Sequence, residues 1–440
     1  MLNNNFNSDK RGASERSLFF ILSLSVISTQ IIYLSYTFSG IEVQAYNIFG
    51  IIFIVLFSLI GFRNSRIILY KRRKIFPLVL LMIAMMFAAA VSVVGAFFTL
   101  GDLAQFSKGF AELAFVNIFA ISVIIFLGKY RYLHADYFLR LLIGVLSISC
   151  LYQFLAIYFK VINDIDLDSL IWPLISSWTP SEEDISIGGK GFFLAIRHGG
   201  FSNNPNTLAT LLIAAIPLSL YFASSGQKWM YFVVSIFFIA MLTTLSRSGL
   251  LGLGVSLMVM GFIGDRLPVK RVAFGLSALM TLPLIIYFIE QQFDLSLLSR
   301  FLDILYFRLS ESNYQDSPRS SLFTAGIDMF SKSPFFGVGI NSSPVILGDY
   351  EIFKVTGGSL HNYWLELLVA LGVFVIPYFL YYIYFLYESF TSKGIYSKAL
   401  FASLCGLIVN ASFHSSLAGI PVQIFILLLY LASLAPKTND

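Results

Sequence analysis

The chain has 440 residues, of which 57% are hydrophobic and 12% are charged, and its mean hydropathy is +0.80. Soluble domains carry charge on about a quarter of their residues, so this composition argues against a soluble protein and indicates a polytopic membrane protein. The net charge of +5 comes mainly from Lys and Arg in short loops. There it reports membrane topology, and we expect no nucleic-acid partner. The two cysteines, Cys150 and Cys405, lie in apolar runs and indicate packing rather than a disulfide or a metal site.

Apolar runs of about 20 residues recur along the chain, each long enough to cross a hydrocarbon core about 30 Å thick as a helix. The sequence lacks the alternating segments of a membrane β-barrel, so we predict an all-α fold with about 12 transmembrane helices. Residues 1–440 would then form a single integral membrane domain. The predicted spans are, approximately, 18–36, 46–62, 76–99, 110–128, 137–159, 207–223, 229–245, 248–264, 272–290, 362–387, 396–412 and 418–435.

Lys and Arg residues determine the predicted orientation. The N-terminal segment with Lys10, Arg11 and Arg16 and the basic loop 63–74 would lie in the cytoplasm by the positive-inside rule. Both termini are then cytoplasmic. The two longest polar segments, 160–206 and 291–361, become extracytoplasmic loops.

The second, larger loop carries Arg319 and the run from Pro334 to Gly339. Apolar residues at helical spacing between Ser320 and Phe330 predict a helix there. The Pro and Gly residues that follow indicate a tight turn that re-enters the bundle.

The first loop ends in Arg197, His198 and Gly199-Gly200, just before an apolar helix. Asn204 is typical of a helix cap and Pro205 of a first helical position. The two glycines would let backbone N–H groups approach an anion near the start of that helix. Capping accounts for the turn but not for the cation at Arg197.

Arg247 occupies a tight turn between two apolar runs, in the order Ser246-Arg247-Ser248-Gly249. The predicted topology places this turn on the outer side, against the positive-inside rule. Its side chain must therefore either reach the membrane interface or face an aqueous cavity.

His361 begins the span after the second loop, in the order His361-Asn362-Tyr363-Trp364-Leu365-Glu366. Histidine can take up and return a proton near neutral pH, so His361 is the candidate catalytic residue. An interfacial histidine beside aromatic residues has the same pattern. Asn362 and Glu366 are candidates to orient His361 or a substrate, and His198 and His414 on the same face are candidate partners.

Arg197, Arg247 and Arg319 together suit a diphosphate, because a guanidinium binds phosphate oxygens through a planar fork and stays charged. Taken singly, each has an ordinary explanation as an interfacial or solvated charge. The acidic residues of the first loop form no metal-ligand spacing and are interpreted as a solvated face: Asp164, Asp166, Asp168, Glu182, Glu183 and Asp184. We therefore expect no metal and no cofactor.

These motifs resemble those of the O-antigen ligase and Wzy-type O-antigen polymerase superfamily. The resemblance covers about residues 190–390, and the amino-terminal half matches in hydropathy only. It rests, in this order, on Arg197-x-Gly-Gly-Phe-Ser-x-Asn-Pro-Asn, Ser246-Arg247-Ser248-Gly249, Arg319 followed by Pro334–Gly339, and His361-Asn362-Tyr363-Trp364-Leu365-Glu366.

The resemblance implies a GT-C-like fold and an inverting, metal-independent glycosyltransferase acting on the outer face of the bacterial cytoplasmic (inner) membrane. The donor would be an undecaprenyl-diphosphate-linked glycan. By matching position, Arg197 and Arg247 would hold the diphosphate, Arg319 would contact the donor or the diphosphate, and His361 would be the general base. A flippase and a chain-length regulator are the implied protein partners.

Two acceptors remain open. In a polymerase of O-antigen, capsule or exopolysaccharide the acceptor is another lipid-linked repeat unit, whereas in a ligase it is lipid A-core. No residue decides between them, and we prefer the polymerase because it needs only one kind of substrate. A polysaccharide-precursor transporter or flippase is the alternative of another class. It would be expected to show internal repeats and ionisable or broken helices near the midplane, whereas here the halves differ and the charges gather at one face.

Overall fold

The computed structural model describes residues 13–31, 33–38, 41–60, 74–100, 103–129, 134–163, 165–177, 198–202, 204–263, 318–347, 359–392, 394 and 396–434. Arg197 and the predicted span at about 272–290 lie outside these residues. The number of spans therefore stays a prediction.

The helices follow the predicted apolar runs. In the described part of the chain, five are long and apolar enough to cross a membrane: Phe76–Thr99, Phe106–Gly128, Ala135–Lys160, Pro205–Ser224 and Tyr363–Thr391. Shorter apolar helices accompany them, at Ala45–Leu59, Met230–Thr243, Arg247–Ile263, Ser397–Ala411 and Ile420–Ser433. The protein is thus a polytopic helical membrane protein.

The helices are numbered in chain order. They are α1 (Ala13–Ser28), α2 (Ala45–Ile60), α3 (Phe76–Val91), α4 (Val93–Leu100), α5 (Ala104–Lys129), α6 (Ala135–Asn163), α7 (Leu167–Ile175), α8 (Pro205–Ser224), α9 (Met230–Thr243), α10 (Arg247–Ile263), α11 (Pro318–Lys332), α12 (Ser343–Leu347), α13 (Tyr363–Leu371), α14 (Ile376–Thr391), α15 (Ser397–Ala411) and α16 (Ile420–Ser433). Short 3-10 turns cover Gly200–Ser202, Gly372–Val375 and Ser415–Ala418.

The all-α prediction missed one feature near the N-terminus. Strands β1 (Ser35–Phe38) and β2 (Ile41–Gln44) form an antiparallel hairpin, with Ser35 opposite Gln44. Helix α1 ends at Ser28, so the predicted first span at 18–36 was too long. Ser28 and Thr29 direct their hydroxyls to backbone carbonyls within the last turn, which competes with continuation of the helix.

Helices α8 and α16 form the centre of the bundle, because most residues along them are buried. Helix α8 begins as predicted, with Asn204 as its cap and Pro205 in its first turn. Helices α10 and α15 approach each other closely at Gly252 and Gly406, where a Cβ on Gly252 would lie 2.7 Å from the Gly406 carbonyl oxygen. Small residues at such contacts let helix backbones meet in a membrane protein.

The run Pro334–Gly339 re-enters the bundle where α13 ends. Gly372, with φ +56°, interrupts the helix and frees the carbonyls of the preceding turn. The N–H groups of Val338 and Gly339 donate to the carbonyls of Val369 and Ala370 at 2.9 and 3.0 Å. The predicted turn thus fills a helix break, and it follows directly on α11, the helix expected between Ser320 and Phe330.

Candidate active site

The starts of α8, α10 and α13 meet at one end of the bundle, called the site end below. A Cβ on Gly249, in the first turn of α10, would lie 2.7 Å from Cβ of Ala209 in α8. Asn206, in the first turn of α8, contacts His414, and His414 contacts His361 beside the start of α13. Segments more than 200 residues apart in the chain therefore share one region.

His361 is held in an unusual backbone conformation. Its φ is +52°, a left-handed value that a residue with a side chain adopts only at a cost of about 1–3 kcal/mol. The Ser359 hydroxyl accepts from the His361 backbone N–H at 3.2 Å and lies 3.3 Å from Nδ1 of the same residue. Such strain persists only where surrounding contacts impose it, and it is common at functional sites.

Asn362 fixes the other side of this turn. Its Oδ1 accepts from the backbone N–H of Leu365 at 3.1 Å, so Asn362 is the N-cap of α13. This role accounts for the asparagine without any contact to a substrate. The cap also fixes the direction in which the chain enters α13 from His361.

His414 bridges His361 to α8. The two imidazole rings have centroids 5.6 Å apart, and the Nε2 atom of the buried His414 lies 3.0 Å from the Asn206 side-chain amide. His414, a predicted partner of His361, therefore lies in ring contact with it, and its role stays a prediction.

Arg247 is the first residue of α10 and its side chain is exposed. The turn before it is tight, since Leu245 has φ +51° and the Ser246 hydroxyl accepts from the Gly249 N–H at 3.2 Å. A helix N-terminus carries partial positive charge. A cation there is unfavourable on its own, but helix end and guanidinium together attract an anion.

Arg319 lies in the first turn of α11, and only its backbone belongs to the described structure. Helix α11 packs along α13, because a Cβ on Gly326 would lie 2.6 Å from Leu365 and 3.3 Å from Leu360. Its C-terminal end leads to the break at Gly372, so the two helices run in parallel. At 1.5 Å per residue, Arg319 lies about 10 Å beyond Gly326 towards the site end.

Glu366 turns back from α13 towards the strained turn. Its carboxylate faces the hydroxyls of Ser359 and Ser415 and the backbone N–H groups of Leu360 and His361. Its Oε1 atom is enclosed and accepts no hydrogen bond of normal geometry from the described residues. Glu366 thus lies beside the turn that carries His361, and its predicted role in orienting His361 stays a prediction.

The acidic residues of the first loop were interpreted as a solvated face, and for Asp168 that interpretation is wrong. Its side chain is only 13% exposed. The carboxylate accepts from the hydroxyl of Tyr33 at 2.7 Å, from Trp172 Nε1 at 3.1 Å and from the hydroxyl of Tyr152. Its fourth partner is Nε2 of His198, at 2.9 Å.

His198 is fixed in one tautomer by this arrangement. The Gly200 N–H donates to Nδ1 at 2.9 Å, so the ring proton lies on Nε2 and points to Asp168. The backbone of the same segment is held by α6, because Gln153 Nε2 donates to the His198 carbonyl and the Ser149 hydroxyl accepts from the Phe201 N–H, both at 2.8 Å. His198 therefore positions the segment that directly follows Arg197.

The electrostatics of Asp168 agree with this network. Burial alone would raise the pKa of its carboxyl group, but the hydrogen bonds from His198, Tyr152 and Tyr33 outweigh burial and hold this pKa below its ordinary value. Burial and the neighbouring Asp168 carboxylate raise the pKa of the Tyr33 hydroxyl well above its ordinary value. The Asp168 carboxyl group thus stays ionised and the Tyr33 hydroxyl stays protonated, which preserves the hydrogen bond between them.

A cavity of about 320 Å³ lies next to the loop that carries His361. Helices α3, α5, α13, α14 and α16 supply most of its lining, and Ser359 and Glu366 connect it to the strained turn. The sequence interpretation missed this cavity and its second carboxylate, Glu112. Glu112 lies within a predicted span, and an acidic residue inside an apolar run is the kind of signal that could have pointed to it.

The fold and this geometry define a polytopic membrane protein whose candidate site lies at one end of a helical bundle. Residues 232–380 match the family model Wzy_C, described as O-antigen ligase. This part of the chain is therefore similar to O-antigen ligases, which confirms the predicted superfamily resemblance. The match includes Arg247, Arg319, His361, Asn362 and Glu366, whereas Arg197, His198 and His414 lie outside it. No curated protein matches the chain.

Together, the partial family match and the membrane-spanning helices indicate an inner-membrane protein with a segment similar to O-antigen ligases.

Proposed function

We propose that this protein is a glycosyltransferase that moves a glycan from undecaprenyl diphosphate to an acceptor hydroxyl at the outer face of the cytoplasmic membrane. The observation that carries this proposal is the convergence at the site end. His361, strained and in ring contact with His414, lies at a junction with the starts of α8 and α10. The family match over residues 232–380 supports the same class of reaction.

The proposed reaction is a single displacement. His361 takes the proton of the acceptor hydroxyl as its oxygen attacks the anomeric carbon of the donor sugar. The bond from that carbon to the diphosphate oxygen breaks with its electron pair, and undecaprenyl diphosphate leaves. Attack opposite the leaving group inverts the anomeric configuration. General-base assistance of this kind contributes about 10²–10⁴-fold.

The arginines would stabilise the leaving diphosphate. Arg247 is exposed at a helix start, where the helix dipole adds to its charge, and Arg319 begins the helix that packs along α13. Arg197 directly precedes the segment that Asp168 and His198 hold. Charge-assisted hydrogen bonds from guanidinium groups can neutralise the leaving oxygens without a metal.

Polymerase remains the preferred form of this activity, because one lipid-linked repeat unit serves as donor and acceptor. The ligase form is the second candidate, since the matched family is described by that name. The two forms differ only in the acceptor, so a direct assay separates them.

The test is to incubate the purified protein in lipid nanodiscs with a lipid-diphosphate repeat unit, with and without lipid A-core. A ladder of products without core indicates a polymerase, and product only with core indicates a ligase. His361→Ala should lower turnover about 10²–10⁴-fold. Arg247→Ala should lower kcat/KM about 10- to 150-fold, the equivalent of losing hydrogen bonds to a charged group.

Matched controls come from the other end of the bundle. His134 precedes α6 and contacts Phe19, and Arg16 is exposed in the first turn of α1. His134→Ala and Arg16→Ala should leave turnover near the wild-type value. Full turnover by His361→Ala would remove this residue from the chemistry, and transport of the lipid-linked unit without any new glycosidic bond would favour the transporter.

A further inference from the structure

The 320 Å³ cavity beside His361 is lined by both apolar and polar residues. Met82, Met85 and Leu427 contribute apolar surface to its lining, and Glu112, Asn341 and Glu366 contribute polar groups. Its volume is at the small end of the range of about 300–1,000 Å³ for small-molecule pockets. This leaves room for a terminal sugar residue rather than for a whole oligosaccharide.

We propose that this cavity binds the acceptor's terminal sugar and selects an uncharged or amino sugar over an acidic one. The inference rests on the proposed glycosyltransferase function and adds to it the chemical class of the acceptor.

The first argument is the unused oxygen of Glu366. Its Oε1 is enclosed yet accepts no hydrogen bond of normal geometry from the described residues, although Ser359 and Ser415 lie near the carboxylate. A donor in good geometry would therefore stabilise this oxygen. Sugar hydroxyls and ammonium groups are the donors that would satisfy it. Glu112, on α5, provides a second carboxylate on the same cavity.

The second argument is the aromatic wall. Four tyrosine rings line the cavity, from Tyr363, Tyr378, Tyr381 and Tyr382. The hydroxyls of Tyr363 and Tyr382 are 3.1 Å apart, and Gln423 donates to the Tyr382 hydroxyl at 2.8 Å. These bonds hold the rings of Tyr363 and Tyr382 in place, and the apolar surface of a tyrosine ring suits the C–H face of a pyranose.

The third argument is position relative to His361. Ser359 lines the cavity, and its hydroxyl lies 3.3 Å from Nδ1 of His361. A sugar hydroxyl at the Ser359 side of the cavity would therefore be close to the imidazole. His361 also contacts His414, which in turn contacts Asn206 on α8. An acceptor near Glu366 and a donor diphosphate near Arg247 would therefore approach His361 past different neighbouring residues.

The charges of the lining predict the selectivity. It contains Glu112 and Glu366 and, among the described residues, no lysine or arginine. Lys108 is exposed one turn before Glu112 and does not line the cavity. A uronic acid would add a third carboxylate beside Glu112 and Glu366, and the like charges would repel. A lipid tail would exclude water from both glutamates without offering them a hydrogen bond, which is costly.

The test measures binding separately from transfer. Saturation-transfer NMR on the purified full chain would compare methyl glycosides in the gluco, galacto and manno configurations, each as neutral, 2-amino and uronic forms. We expect signals from at least one neutral and one amino glycoside, and roughly tenfold weaker binding of the matching uronic form. Glu366→Gln and Glu112→Gln should reduce this discrimination. Asp328→Asn should not, because that exposed carboxylate pairs with Lys332 on α11.

Three results would overturn the inference: no saturation of any glycoside, equal binding of uronic and neutral forms, or displacement of the glycosides by a short isoprenoid alcohol. Transfer is then measured with the lipid-linked repeat unit. If the glycosides bind as expected but no donor is ever consumed, the sugar site stands and the proposed function fails. If transfer proceeds with unchanged acceptor KM in both glutamate variants and no glycoside binding, the proposed function stands and the sugar site fails.

Discussion

Asp168 offers the sharpest test of how the site is built. Replacing it with alanine leaves Tyr33, Tyr152, Trp172 and His198 without their common acceptor. Asparagine keeps one acceptor oxygen but turns an NH₂ group towards groups that are themselves donors. Both variants should therefore loosen the segment after Arg197.

The size of the effect follows from the number and burial of these donors. Each buried donor left unpaired costs about 1–3 kcal/mol, and the costs overlap because water can enter the space left by the carboxylate. We expect about 3 kcal/mol for alanine and less for asparagine.

The assay is hydrogen exchange at the backbone amides of Gly200, Phe201 and Ser202. These amides donate to His198 Nδ1, the Ser149 hydroxyl and the Gly199 carbonyl. Their exchange rates therefore measure how often these hydrogen bonds open. A loss of about 3 kcal/mol corresponds to roughly 150-fold faster exchange where exchange follows local opening.

The matched control is Asp136→Asn. Asp136 also accepts from several donors, Arg140 and Tyr396 among them, but at the opposite end of α6. Its replacement should leave exchange at Gly200–Ser202 unchanged. If Asp168→Ala also left it unchanged, the network would have no energetic connection to the segment, and His198 would not position it.

Acid should remove the same stabilisation. The pKa of Asp168 is lower in the folded protein than its ordinary value. Its contribution to stability is therefore complete above the ordinary carboxyl pKa of about 3.9 and is lost as the pH falls through the lower folded value. At that low pH the melting temperatures of wild type and Asp168→Ala should converge. Gly337→Ala should prevent accumulation of folded protein, since φ is +68° and the new Cβ would lie 2.3 Å from the Ala370 backbone, whereas Gly254→Ala, with open space around it, should accumulate normally in membranes. Asn362→Ala should lower the free energy of unfolding by about 1 kcal/mol through loss of the cap, and Asn362→Asp should retain most of it in a denaturant titration.

The sequence predicts the parts of this fold that lipid and local chemistry control. An apolar run must be helical to satisfy its backbone in a membrane, so the described spans lie close to their predicted positions. Asn204 and Pro205 placed the start of α8 correctly, because capping is local. The break at Gly372 was not predicted, since a glycine within an apolar run carries no sign of the segment that will fill it.

The site is predictable only residue by residue. Local pattern singled out His361, but its contact with His414 joins separate helices through tertiary packing. The error at Asp168 has the same origin, because Tyr33 is 135 residues away in the chain. A loop carboxylate is most often solvated. The sequence around Asp168 contains no sign that four donors meet at this carboxylate.

Packing explains some of the motif residues and not others, and this difference supports the proposed roles. Gly337 and Gly339 have positive φ and approach neighbouring segments closely, so the fold alone requires them. The capping of α13 accounts for Asn362 in the same way. By contrast, the helix dipole opposes a cation at the first residue of α10, and an imidazole occupies a left-handed turn where glycine would be relaxed. Arg247 and His361 thus both occupy positions that local backbone preferences disfavour, and both lie at the site end. Strained positions of this kind are common at ligand-binding sites.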